Sequence, residues 1–256
     1  MAMREVAFVI GKRKVHSWVP ESWQELSERQ FLAIVGKSCG LEEDAEFYAH
    51  YFGIPADVVK GMDLYYFYVL NSLLAFTRIS AKMRSFILRQ VTLRNTKGKA
   101  FSVKAPEANL DGMSFQQFMM IDTFHTWYLQ TKERKFLLSM CSCCYLKEGE
   151  DFFSLDMDER LKCWEKCGEL EIQSILVQWS LIKGWLSSSY IYLFPKGDGE
   201  ENGKGGKTKI SNTWLEIFDT LVADDLTRIE TYKHLHCMDV LRVVNHKIKE
   251  QKSQRR

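Results

Sequence analysis

The sequence predicts a mainly α-helical fold with two small β-hairpins, an α+β chain in which helices supply most of the core. Two pairs of short strand-like runs predict the hairpins, and each pair has a Gly-Lys turn between its runs and a proline after them. Helix-start motifs followed by apolar residues at helical spacing predict that most of the remaining chain is helical. The 256 residues are 46% hydrophobic and 13% aromatic, which is enough for one large core or two smaller ones.

The first hairpin is predicted from residues 6–10 and 15–19, both rich in β-branched and apolar side chains. Gly11 and Lys12 mark the turn between them. Pro20 ends the second strand because proline has no N–H to donate to a sheet ladder.

A run of helices follows the first hairpin. Ser27 stands three residues before Gln30, which is the spacing of a capping box. In a capping box each side chain satisfies the backbone N–H of the other residue. Helices are predicted over residues 28–40, 43–51, 55–61 and 63–76.

The second part of the chain begins in the same way. Residues 86–93 and 101–103 are predicted as strands, with Gly98 and Lys99 at the turn and Pro106 after them. The pattern predicts a second hairpin of the same kind.

Capping-box spacing also recurs, at Ser114 and Gln117. Val91 lies 85 residues after Val6, and Ser114 lies 87 residues after Ser27, so the features keep their order and nearly their spacing. This agreement predicts an internal duplication of a hairpin-plus-helices module. Helices are predicted from Ser114 through Phe124 and over residues 133–145, 158–167 and 171–186.

The chain is therefore divided into four segments. Two related hairpin-helix modules cover residues 1–84 and 85–194. Pro195 and a cluster of glycines among charged residues predict a flexible loop over residues 195–209. A C-terminal helical segment covers residues 210–256, in which a helix capped by Ser211 or Asn212 precedes a last helix from residue 226 or 227 to about 250 with a basic end.

Charge and hydropathy narrow the class of protein. The 35 basic and 33 acidic residues give a formal net charge of +2, which does not indicate a dedicated nucleic-acid binder. The most apolar run, residues 64–76, is shorter than the roughly 20 residues that cross a bilayer. The N-terminus lacks the pattern of a signal peptide. We therefore expect a cytoplasmic protein without membrane contact, with its seven cysteines as thiols.

The clustered cysteines are the main candidate metal site. Cys141 and Cys144, with Cys163 and Cys167, have spacings that four zinc-binding thiolates could use. The first pair lies in an apolar helical stretch, where cysteine behaves as a small hydrophobic residue. We therefore predict core thiols and no metal or other cofactor, with zinc as the alternative.

No segment carries a specific catalytic motif. Gly206, Lys207 and Thr208 resemble the end of a phosphate-binding loop, but Glu201 occupies the position where that motif requires glycine. No nucleophile has a recognisable local signature. The prediction is a non-enzymatic protein with no catalytic residue.

Trp214, Leu215 and Phe218 are the candidate partner-binding residues. With Leu221 they form an apolar stripe with helical spacing. Such a stripe is typical of a helix that faces its own core. It is also typical of a helix that docks into a groove on a partner, and the preceding loop favours that interpretation here.

The stretch from Val19 to Phe31, with the pattern V-P-x-S-W-x-x-L-S-x-x-Q-F, resembles small proteins of tailed phages and prophages of Bacteroides-type bacteria. Residues 47–55 are also similar to a segment of those proteins. The resemblance covers mainly residues 5–80 and, again, 90–125. It implies a non-enzymatic role in tail assembly, as a chaperone or a baseplate-related protein, with other phage tail proteins as partners.

On this resemblance the protein is expected in the cytoplasm of the bacterial host cell or associated with the virion. One alternative is a structural tail, baseplate or adaptor protein that stays in the particle. Another is a zinc-binding or nucleic-acid-acting protein of a mobile element, for which the four cysteines or the basic C-terminus would be the relevant feature.

Overall fold

The computed structural model describes residues 4–10, 13–78, 82–194, 214, 217–218 and 226–254. Over these residues the chain is mainly helical with two small antiparallel hairpins, which confirms the predicted fold class. In chain order the strands and helices are β1 Arg4–Ile10, β2 Arg13–Val19, α1 Glu28–Ser38, α2 Asp44–Phe52, α3 Ala56–Lys60, α4 Leu64–Leu73, β3 Gln90–Arg94, β4 Ala100–Lys104, α5 Phe115–Thr131, α6 Arg134–Cys144, α7 Met157–Trp164, α8 Glu169–Ser189, α9 Ile229–His234 and α10 Cys237–Gln254.

The chain folds into two compact units, which are described separately below. The first unit consists of Met1–Met83 and Gly168–Leu181, and the second of Arg84–Cys167 and Ile182–Arg256. Helix α8 therefore belongs to the first unit in its first part and to the second unit in the rest.

Some predicted features fall outside the described residues. These are the turn at Gly11 and Lys12, the loop over residues 195–209 and the cap at Ser211 or Asn212. The division of the chain into two duplicated modules stays a prediction.

In the first unit, β1 and β2 pair antiparallel, with Val6 opposite Ser17. Side chains alternate between the two faces of the hairpin, so Ser17 and Val19 are buried while Trp18 is exposed. The Ser17 hydroxyl donates to the carbonyl of Phe52, 2.8 Å away, and so links the hairpin to the end of α2.

The capping box predicted at the start of α1 is present. Ser27 Oγ accepts from the backbone N–H of Gln30 at 3.3 Å, and Gln30 Oε1 accepts from the backbone N–H of Ser27 at 3.1 Å. The amide of Gln30 also donates to the carbonyl of Trp18, at 3.1 Å, which ties α1 to strand β2. The local motif therefore also makes a tertiary contact.

Helix α4 is apolar on more than one side. Leu70 is buried in the first unit, whereas Leu64, Tyr65 and Tyr68 are exposed. The hydroxyl of Tyr66 donates to the carbonyl of Val9, 2.6 Å away, and holds the helix against strand β1.

In the second unit, the first strand of the hairpin starts later than predicted. The sequence predicts a strand from residue 86, but β3 begins at Gln90. The carbonyl of Leu88, just before the strand, accepts from the hydroxyl of Tyr145 at 2.5 Å and not from a backbone N–H of β4. This tertiary hydrogen bond therefore shortens the strand.

A buried ion pair fastens α7 to the loop that follows α6. The guanidinium of Arg160 donates to both carboxylate oxygens of Glu150, at 2.6 and 2.7 Å, and to the carbonyl of Tyr145 at 3.0 Å. Although burial alone would raise it, the hydrogen bonds and positive charge of Arg160 and Lys147 hold the pKa of Glu150 below its usual value.

The predicted last helix is interrupted. The sequence predicts one helix from about residue 226 to 250, but α9 ends at His234 and α10 begins at Cys237. At the break, the carbonyl of Leu235 accepts from the N–H of Phe115 at 2.8 Å, and the N–H of Cys237 donates to the carbonyl of Met113 at 2.9 Å. These bonds pair the broken segment with the start of α5.

The apolar residues 190–194 form a turn after α8. The side-chain oxygen of Asn245 on α10 accepts from the backbone N–H groups of Tyr192 and Leu193, at 3.0 and 3.1 Å. Asn245 therefore satisfies two backbone N–H groups that a neighbouring strand would bind in a sheet.

Among the helices of the described residues, none combines the length and the apolar character that a membrane span requires.

Candidate protein-binding site

Helix α5 is apolar on two faces, and the described residues of the second unit bury only one of them fully. Phe115, Phe118 and Ile121 have no exposed surface. The neighbouring face is half-buried and lines a groove of about 370 Å³. We call this the α5 groove, and its lining residues are Gln116, Met119, Met120, Thr123, Phe124, Trp127, Trp214, Phe218 and Lys233.

The lining residues of α5 follow the spacing of one helix face. Between Gln116 and Trp127 they recur at intervals of three and four residues, so their side chains form one stripe. Eleven residues of helix rise about 16 Å, which is three turns. The groove is therefore an elongated apolar surface along a rigid helix.

Trp214 and Phe218 form a wall of the groove. They are only 9% and 7% exposed. The Trp214 ring packs edge-on against Phe118 at 5.1 Å between centroids, and the Phe218 ring stacks on Phe115 at 6.3 Å. Two of the three predicted partner-binding residues are thus mostly packed on α5. Their contact with a partner stays a prediction, and Leu215 lies outside the described residues.

A buried charged group anchors this wall. The indole N–H of Trp214 donates to Asp122 Oδ2 at 2.7 Å. The Lys183 ammonium of α8 lies 2.7 Å from the other carboxylate oxygen, Oδ1. Asp122 is only 4% exposed, so its negative charge is stabilised by the Trp214 hydrogen bond and the Lys183 charge rather than by water.

His125 lies one turn further along α5 and is also buried. Burial lowers the pKa of His125 to about 4; the Lys183 ammonium acts in the same direction, and the Asp122 carboxylate opposes both. The imidazole is therefore neutral at neutral pH. It belongs to the packed side of the helix, behind the groove.

The groove continues past Trp127 into a small aromatic cluster. Trp127 packs edge-on against Phe124 at 5.8 Å and against Phe136 of α6 at 5.1 Å. Two cations flank this end: Lys135 lies 4.8 Å from the Phe136 ring, and Lys132 directly follows α5. The apolar stripe therefore ends at aromatic rings that have lysines beside them.

The four cysteines of the zinc hypothesis lie on or just after different helices. Cys141 and Cys144 are buried on α6, Cys163 is buried on α7, and Cys167 is partly exposed. Within the described part of the chain, no group of three or more His, Cys, Asp or Glu side chains is arranged to hold a metal ion. The structure therefore does not gather these cysteines into a metal-binding cluster.

Burial keeps the thiols of Cys143 and Cys144 on α6 protonated. It raises the pKa of Cys143 to about 12, and burial with the neighbouring Cys141 and Cys143 thiols raises the pKa of Cys144 well above its usual value. The thiolate is the form that binds metals and attacks electrophiles. These side chains therefore act as core residues.

We expect iodoacetamide to label the native chain first at the exposed Cys39, while Cys143 and Cys144 stay unmodified until the protein is unfolded. Peptide mass spectrometry after timed labelling measures this order, and the urea-unfolded chain is the control for complete reaction. Fast labelling of Cys143 and Cys144 would contradict their role in the core. So would stoichiometric zinc that is lost in the Cys141→Ser/Cys144→Ser variant.

The sequence contained a signal for the groove that its motifs did not show. From Phe115 to Trp127, large apolar residues point to nearly every side of α5. A helix that is apolar all round needs cover on all sides. The capping motif and the length of this segment predict helix α5. They do not predict which faces of α5 the second unit buries.

No protein-family model, no curated protein and no solved structure matches the chain. The resemblance to phage tail proteins therefore stays an expectation from the N-terminal residues.

Proposed function

We propose that this chain is a non-enzymatic protein-binding factor in phage-type tail morphogenesis, which acts as a tail assembly chaperone. In this proposal the α5 groove receives an apolar helix of another tail protein and keeps it from aggregating. The observation that carries the proposal is the half-exposed stripe of Met119, Met120, Phe124 and Trp127 on a helix whose other face is fully buried. The N-terminal resemblance supports the link to tails.

The composition of the groove suits a reversible protein contact. Methionine adapts its shape to different apolar partners, and aromatic rings add large contact areas. Burial of the apolar surface of the groove favours association, whereas association itself costs about 4–15 kcal/mol. The resulting affinity would be modest, as a chaperone that releases its client requires.

The reactive side chains near the groove support a binding role over a catalytic one. His125 is neutral and packed behind the groove, and the thiols of Cys143 and Cys144 are held protonated in the core of the same unit. Asp122 is occupied by Lys183 and Trp214. Asp122 holds the Trp214 wall of the groove, and the other groups are packed in the core.

The test is deletion of the gene in the organism that carries it, followed by complementation. We expect loss of tailed particles in electron micrographs, restoration by the wild-type chain, and failure of the Phe124→Glu chain. Leu129→Glu is the matched control, because Leu129 lies on the same helix, is 47% exposed and is not part of the groove. Normal tails in the deletion strain would overturn the proposal.

The same strains separate a chaperone from a structural tail, baseplate or adaptor protein. A chaperone leaves the assembly, so mass spectrometry of purified particles should not detect this chain. Its presence at a fixed number per particle would favour the structural alternative.

A further inference from the structure

We infer that the helix received by the α5 groove is amphipathic, with acidic residues flanking its apolar stripe. This inference rests on the proposed function and names the chemistry of the partner. It depends on the shape of the groove and on the charges around it.

The shape of the groove favours a helix over a small molecule. Small-ligand pockets enclose most of the ligand surface. Here the lining residues of α5 are each partly exposed, and they extend along about three turns of helix. An apolar stripe with residues at intervals of three and four on a partner helix matches that surface, as in helix-in-groove recognition.

Among the described residues, the charged side chains around the groove have a small positive excess, with three lysines and two glutamates. Among the described residues that line it, Lys233 carries the charge. Lys132 and Lys135 lie beyond Trp127 at its end, and Lys132 Nζ is 5.6 Å from the Tyr128 ring.

The acidic residues beside these lysines are bound to them. Glu230 lies 2.6 Å from Lys233, and Glu133 lies 2.7 Å from Lys135. The carboxylate of Asp122 is buried on the other side of α5 with Lys183. These exposed pairs contribute little, and Lys132 leaves the described end of the groove with one positive charge in excess. Charge complementarity at that end favours an acidic partner.

Aromatic rings beside lysines also occur in sites for single-stranded nucleic acid, where bases stack on open ring faces. At the end of this groove Trp127 packs edge-on against Phe124 and Phe136, at interplanar angles of 74° and 63°. Neither pair is a parallel stack, and Met119 and Met120 line the same helix face. The arrangement favours a peptide.

The test uses two labelled model peptides of about 18 residues, five helical turns, with the same leucine stripe. One carries glutamate at the flanking positions and the other carries lysine. Fluorescence anisotropy with the full chain measures both affinities at low and high ionic strength. We expect the glutamate peptide to bind about tenfold more tightly at low salt, with the gap closing as salt is added.

Three variants locate the contact. Phe124→Glu should weaken binding of the glutamate peptide by at least about tenfold, while Leu129→Glu should leave it unchanged. The double variant Lys132→Glu/Lys233→Glu should prefer the lysine peptide. Far-UV circular dichroism checks the fold of each variant. If the double variant does not fold, the salt dependence of the wild-type chain tests the charge preference alone.

If both peptides bind with equal affinity and Phe124→Glu weakens both, the inference of an acidic partner is overturned. The proposed function of the groove is then left intact. Binding that is unaffected by Phe124→Glu would overturn the groove as the binding site, and so would failure of both peptides to bind. Displacement of the glutamate peptide by oligo-dT would favour nucleic acid as the occupant and overturn the inference. The particle counts of the deletion strain test the tail role separately.

Discussion

Replacing Asp122 with alanine is expected to lower the free energy of unfolding by about 3 kcal/mol, which is the largest effect that we predict for a single side chain outside the apolar core. The change leaves the Lys183 ammonium without its carboxylate and the Trp214 indole N–H without an acceptor. Removing one partner of a buried pair costs about 3–5 kcal/mol. Since the Lys183 side chain is 25% exposed and can reach water, the lower end applies.

Urea denaturation of the full chain, followed by far-UV circular dichroism and tryptophan fluorescence, measures this loss. Asp122→Asn is the matched variant, because it keeps an oxygen for the Trp214 indole and removes only the charge; we expect a loss of about 1–2 kcal/mol. Combining Asp122→Leu with Lys183→Met replaces the pair by apolar groups and should recover part of the stability. A loss below about 1 kcal/mol in Asp122→Ala would show that the carboxylate does not anchor Trp214.

Acidification from pH 6.5 to pH 4 is expected to destabilise the second unit by about 3 kcal/mol through His125 alone. The pKa of this imidazole is about 4 in the fold and 6.5 when unperturbed, so between these values the unfolded chain binds the proton and the folded chain does not. Stability is therefore complete above pH 6.5 and falls as the pH approaches 4. The difference in pKa corresponds to about 3 kcal/mol.

The measurement is the free energy of urea unfolding at stepped pH for the wild-type and His125→Gln chains. The variant should show a flatter profile between pH 6.5 and 4.5. His246→Gln, at an exposed histidine on α10, is the control and should follow the wild-type curve. Carboxylates such as Glu150, whose pKa is lowered in the fold, lose their contribution at lower pH and do not obscure this window. Equal slopes for wild-type and His125→Gln would contradict a neutral, buried imidazole.

These two groups lie directly behind the groove, so they also connect stability with binding. Asp122 holds Trp214, which is a wall of the groove, and His125 lies on the same packed face of α5. We therefore expect conditions that weaken this cluster to loosen the wall before the rest of the unit unfolds.

Two identical motifs show which structural features the local sequence determines. Ser27 and Ser114 both accept from the backbone N–H three residues later, as their spacing predicts. In α1 the Gln30 side chain closes the capping box, whereas in α5 Gln117 donates instead to the carbonyl of Cys143, 2.8 Å away on α6. The Ser cap is a local property, but the use of the glutamine depends on what packs beside the helix.

The sequence by itself determined the fold class, both hairpins and the starts of α1 and α5. These features depend on hydrogen bonds and side-chain spacing within a few residues, so neighbours in the chain are enough to specify them. The tertiary structure alone decided the break between α9 and α10, the late start of β3 and the open face of α5. Each of these depends on groups far apart in the chain. The hydrogen bond that places Trp214 against Asp122 spans 92 residues, and no local pattern encodes which distant side chain satisfies a buried carboxylate.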